Sequence, residues 1–133
     1  VLIPATRYRD PEAALDFLTR VPGLATHAVY RDAAGAITHA ELALGTGLMM
    51  LGPEREGDFD ALMVSPAETG GRETTVIHAV VGDIAMRHAR AVAAGADIVL
   101  PLAEQPQGGS SFSLRDAEGH VWTLGDDDPM AAR

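Results

Sequence analysis

Arg7-Tyr8-Arg9-Asp10-Pro11-Glu12-Ala13-Ala14 and Val80-Val81-Gly82-Asp83-Ile84-Ala85-Met86 carry one pattern twice: a short apolar-alternating run, an acidic residue able to act as an N-cap, then a helical segment. The first segment closes on Gly23 and the second on Gly95, glycine being the residue that most readily takes the left-handed turn ending a helix. A module is therefore used twice. Paired modules commonly bury their best cavity between the halves, and that is where a small molecule is expected.

Outward from the first copy, residues 2–8 read as a strand. Asp10 caps, and Pro11 takes the first helical position, where its missing N–H costs nothing. Ala14, Phe17, Leu18 and Val21 fall at i, i+3, i+4 and i+7, an apolar stripe for packing on a sheet. Residues 24–31 and 37–44 read as strands joined by the Asp32-Ala33-Ala34-Gly35 turn, and Thr46-Gly47 leads into a strand over 48–51. The second copy repeats the order, with a strand over 75–81 and a helix over 83–94 whose apolar side is expected at Ala85, Ala89 and Val92. Strands over 97–102, 111–115 and 120–125 follow. The expected organisation is one domain over 1–133, with modules at 1–51 and 75–126. Between them, 52–74 is aperiodic and rich in proline, glycine and acids, too long to be incidental, and reads as a lid or a mobile linker.

Composition narrows the function classes. The chain has 133 residues, 47% of them hydrophobic and 22% charged, which is ordinary globular usage and enough to bury a core. Its formal charge of −9 disfavours nucleic acid and anionic membrane surfaces as partners. Without cysteine there is no disulfide, thiolate metal site or thiol catalysis, and a cytoplasmic location is expected. No apolar stretch approaches the roughly 20 residues of a membrane span, and Val1-Leu2-Ile3-Pro4 is not expected to be a signal peptide.

Several stretches resemble one family: Arg7-Tyr8-Arg9-Asp10 with Ala13-Ala14-Leu15-Asp16-Phe17-Leu18, then His39-Ala40-Glu41-Leu42, Ala91-Val92-Ala93-Ala94-Gly95-Ala96, and above all Arg115-Asp116-Ala117-Glu118-Gly119-His120-Val121-Trp122. In this order and spacing they are similar to the glyoxalase/bleomycin-resistance/dioxygenase (vicinal oxygen chelate) superfamily, and most to its PhnB-like branch. The resemblance implies an α+β fold of two βαβββ modules, with curved mixed sheets around a cavity and often a homodimer completing the site. It also implies where a divalent metal would sit, on the first and last strands of each module. Those positions fall on Ile3, Val76 and Thr123, with only Leu48, Met49, Met50 and Leu51 on the remaining strand. These are poor ligands for a hard ion, so no cofactor is expected.

The remaining candidates are polar residues facing the expected cavity. His39 and Glu41, two apart on a strand, share a face and form a hydrogen-bonding edge; the plainer reading is a solvent-facing pair that satisfies itself. His78 shares the direction of Val76, as a cavity residue or a core histidine bonded to backbone. His39, Glu41 and His78 together have the composition of a facial triad for ferrous iron, although their positions do not match the family's. The expected ligand-binding set is His39, Glu41, Met49, Leu51, His78 and Thr123, while Trp122 is expected to pack in the core, His88 to be exposed and His120 to stabilise its turn. The expected function is metal-free binding or sequestration of a small, partly apolar molecule. The alternatives are a metal-dependent lyase or dioxygenase, a metal-free acid–base enzyme, or a protein-interaction module.

Overall fold

The computed structural model describes residues 1–132. The first module comprises β1 (Ala5–Tyr8), α1 (Pro11–Arg20), β2 (Ala25–Arg31), β3 (Ile37–Leu44) and β4 (Gly47–Pro53). The second comprises β5 (Ile77–Val80), α2 (Ile84–Ala93), β6 (Asp97–Glu104), β7 (Ser110–Arg115) and β8 (Val121–Gly125). Each makes a four-stranded mixed sheet, in the orders β1-β4-β3-β2 and β5-β8-β7-β6. β1 runs parallel to β4 and β5 parallel to β8, and the other neighbours are antiparallel. The repeat read from the sequence is thus a repeat of topology, and the fold is the expected α+β pair of βαβββ modules.

The two helices start differently. Asp10 Oδ1 accepts from the Ala13 N–H at 3.1 Å, and α1 buries Ala14 and Leu18, with Val21 buried just beyond its end. Asp83 does not cap in that way: it sits at φ +50°, and its side chain makes no cap bond. Nor does the expected stripe face the core. α2 buries Ile84 and Ala91, with Arg87 and His88 half-buried between them, whereas Ala85, Ala89 and Val92 are exposed. Alanines carry too little apolar area to orient a helix, so Ile84 decides the rotation. His88 is correspondingly not exposed as expected, its ring meeting Phe112 edge-on at 5.0 Å between centroids.

Three contacts clasp the modules at one point. The 116–120 turn of the second module docks on the end of β1, where the Glu118 carboxylate accepts from the Arg9 and Asp10 N–H groups at 2.6 and 2.8 Å. Tyr8 donates its hydroxyl to Asp116, and a His120 ring nitrogen lies 3.3 Å from the Arg7 carbonyl. His120 also meets Glu73 at 2.6 Å, so it fastens the connector as well as its own turn. β4 absorbs Gly52 and Pro53 from the stretch read as connector, and the remainder holds single 3₁₀ turns at Asp60–Leu62 and Pro66–Glu68. That segment is strapped over β1. Arg7 donates to Asp60 at 3.1 Å and lies over the Phe59 ring, and Arg9 reaches Glu54 at 3.2 Å and Ser65 at 2.8 Å. The Arg55 N–H and the Arg7 guanidinium together hold the Asp60 carboxyl below the ordinary carboxylate range.

Candidate functional site

Residues paired across neighbouring strands share a face, so the pairing shows where each candidate points. On the first sheet Glu41 pairs with Met50 and His39 with Tyr30, all on the face opposite the core. His39 Nε2 lies 3.0 Å from Glu41 Oε2, and the Tyr30 ring centroid is 5.7 Å from that of the imidazole. On the second sheet His78 pairs with Thr123, whose hydroxyl is 2.7 Å from that of Ser113. Gly125 leaves room for the His78 ring, since a Cβ there would stand 3.2 Å from His78 Cε1.

Met49 and Leu51 do not join His39 and Glu41. They pair with Leu42 and Ala40, face the core, and are 4% and 1% exposed. The strand period of two separates them from Glu41, and it is Met50 that stands beside that carboxylate. Leu51 is sealed in the core. Met49 reaches a cleft from the inside.

That cleft, of about 530 Å³, lies between the β3–β4 hairpin of the first module and β5 and β8 of the second. Leu42, Leu48, Met49, Ala79 and Trp122 supply apolar walls, and His78 stands at its margin. The cleft thus unites Met49 with His78, but His39, Glu41, Leu51 and Thr123 lie outside its lining. Its Trp122 wall is held by a buried network that sequence reasoning missed. Asp116, 7% exposed, accepts from Trp122 Nε1 at 3.1 Å, from the Tyr8 hydroxyl, and from the N–H groups of Glu118 and His120 at 3.0 and 3.1 Å. Burial, with the Asp116 carboxylate beside it, pushes the Tyr8 phenol far above its ordinary range and keeps it a donor. The only available signal was an acid opening the Asp-Ala-Glu-Gly turn, and its two side-chain donors come from β1 and β8.

A divalent ion does not fit the positions that the resemblance assigns to it. Ile3 and Val76 offer only hydrocarbon, Thr123 offers a hydroxyl already paired with Ser113, and Met50 is the β4 residue on the same side of its sheet. Nor do His39, Glu41 and His78 form a triad, since among the described residues no group of three or more histidines and acids is placed to hold a metal. Among the described residues, no helix is long and apolar enough to cross a membrane.

Comparison with known proteins agrees with the architecture. Residues 4–124 match the Glyoxalase/Bleomycin resistance protein/Dioxygenase superfamily. TioX from Micromonospora sp. ML1 is 34% identical, with a TM-score of 0.70 over 93% of this chain and 95% of that one. An uncharacterized protein of Mycobacterium bovis is 30% identical over 125 residues, 87% of this chain and 76% of its own length. The bleomycin resistance determinant encoded on transposon Tn5, at 18% identity and a TM-score of 0.66 over 96% of this chain and 98% of that one, shares the fold. On the sequence match and the topology together, the chain belongs to the glyoxalase/bleomycin resistance protein/dioxygenase superfamily.

Proposed function

We propose that this protein binds, without a metal, a small and partly apolar molecule in the cleft between its modules, as a PhnB-like member of the bleomycin-resistance type working in the cytoplasm. The observation that carries this reading is the cleft itself: about 530 Å³, walled by leucine, methionine and tryptophan, with two titratable groups, His78 and Asp128, in its lining. Those are the dimensions and the balance of apolar wall to polar anchor of small-molecule sites. The residues at the metal positions support binding over Lewis-acid chemistry, because they offer no carboxylate or imidazole. A screen of aromatic and heterocyclic fragments, read by the methyl resonance of Met49, tests the proposal. Binders that shift Met49 support it, and binders that shift only residues elsewhere oppose it.

A second reading has one observation in its favour. His39 and Glu41 form a 3.0 Å pair on an open sheet face, with 36% and 22% of their side chains accessible, and a histidine held by a carboxylate is the composition of an acid–base pair. Turnover of a bound fragment, lost in His39→Gln, would favour the enzyme.

The proposed assembly is a homodimer. The faces bearing His39 and Glu41 on one sheet and His78 and Thr123 on the other are open, Tyr30, Val80 and Leu100 are exposed on these sheets, and Val76 is exposed just before β5. A second copy would cover that apolar area and protect the unpaired strand edges.

A further inference from the structure

A second cavity, of about 400 Å³, lies where the connector bridges the edge strands β1 and β5; it shares Pro4 and Ile77 with the lining of the Met49 and Trp122 cleft and is otherwise walled by different residues. Its volume falls within the range of about 300–1,000 Å³ usual for small-ligand sites. The apolar part of its wall is Ile77 of β5 with Leu62 and Val64 of the connector, the last two 82% and 57% exposed although they are large hydrocarbon side chains. The polar part is Thr69, Glu73 and His120, and Arg72 with the hydroxyls of Thr6, Thr74 and Thr75. Among the described residues, the Arg72 guanidinium has no hydrogen bond or ion pair, and these three hydroxyls have no partner.

The chain has 19 acids and 10 basic residues, and Arg7, Arg9, Arg20 and Arg31 are ion-paired, Arg9 with both Glu54 and Glu68. Among the described residues the guanidinium groups of Arg55 and Arg90 likewise have no hydrogen bond or ion pair, but neither lines this cavity. The nearest acid in sequence, Glu73, does not pair with Arg72, because its two oxygens are taken by His120 at 2.6 Å and the Val121 N–H at 2.8 Å. The cavity wall thus offers one guanidinium and three hydroxyls free to meet a ligand, together with hydrocarbon from the connector and β5.

We infer that this cavity binds an amphiphilic monocarboxylate, its head group on Arg72 and the threonine hydroxyls and its hydrocarbon tail against Ile77, Leu62 and Val64. Guanidinium matches a carboxylate with two parallel N–H bonds. A single positive charge beside the Glu73 carboxylate, in a chain of net charge −9, suits a monoanion better than a doubly charged phosphate.

Octanoate is the probe, added to the whole chain at neutral pH and followed by calorimetry and amide NMR. Saturable binding is expected, with shifts at Thr74, Thr75 and Val121 and a weaker response to octan-1-ol and octyl phosphate. Arg72→Gln is expected to weaken octanoate binding by about tenfold or more, and Arg72→Lys to keep a larger share of it. Arg72 is exposed on the connector, so both variants retain the fold. The inference is overturned if octanoate fails to saturate by about 10 mM, if Arg72→Gln binds as tightly as the parent, or if the shifts gather at Met49 and His78. That last outcome would leave the inter-module cleft as the binding site and remove this one.

Discussion

Replacing Asp116 with alanine is expected to be among the most damaging single changes in the molecule. The carboxylate is 7% exposed and accepts four bonds, from Tyr8 Oη, from Trp122 Nε1 at 3.1 Å, and from the backbone N–H groups of Glu118 and His120 at 3.0 and 3.1 Å. Tyr8 and Trp122 are 0% and 1% exposed, so their donors have no water to turn to once the acceptor is gone. A buried donor left unsatisfied costs about 1–3 kcal/mol, and two such donors plus a loosened turn bring the expected loss to about 3–5 kcal/mol. That is a large share of the roughly 5–15 kcal/mol holding a domain together. The assay is urea unfolding followed by circular dichroism, since Trp122 fluorescence would itself be altered. Combining Asp116→Ala with Tyr8→Phe, which removes one stranded hydroxyl, should cost less than the sum of the two single changes. A loss below about 1 kcal/mol for Asp116→Ala, or strict additivity in the double variant, would refute the reasoning.

Because burial and Asp116 raise the Tyr8 phenol, an alkaline limit follows: the unfolded phenol loses its proton near its ordinary value of 10.0 while the folded one keeps it. The contribution is therefore intact below that pH and falls by about 1.4 kcal/mol per unit above it, a slope that Tyr8→Phe should remove in unfolding curves taken between neutral and strongly alkaline pH. Glu41→Gln should weaken a cationic fragment bound on the His39 face by roughly 1–3 kcal/mol in calorimetry and leave the fold unchanged, whereas unaltered affinity would place Glu41 outside any site. Sedimentation equilibrium at micromolar concentration should give twice the chain mass of 13.9 kDa, and a monomer at every concentration would count against the proposed assembly.

The fold was legible because its signals are local and occur twice. Asp10 with Pro11, Gly23 and the stripe at Ala14, Leu18 and Val21 carry the first helix on sequence alone, as the burial of those three side chains confirms. The second helix was read at the wrong rotation because Ala85 and Ala89 look apolar to a pattern but supply little area, while Ile84 and the ring of His88 supply more. Strand alternation correctly put His39 and Glu41 on one face, and the observed pairing sends Met49 and Leu51 to the other. The Asp116 network was not legible. Tyr8 stands 108 residues from Asp116, and nothing in the local pattern distinguishes a turn acid facing water from one that anchors two modules. Arg72 was silent for a similar reason, since the pattern does not show that the adjacent Glu73 carboxylate is taken by His120 and the Val121 N–H.

The central claim, metal-free binding in the inter-module cleft, is tested most directly through Trp122, the chain's one tryptophan and part of the cleft wall. Chelator-treated protein is titrated with the tightest-binding fragment, and the fluorescence of Trp122 is followed. The account predicts a saturable change that is the same before and after zinc, nickel, manganese or ferrous iron is added. A response that appears only when the ion is restored, or binding that leaves Trp122 unperturbed, would contradict it.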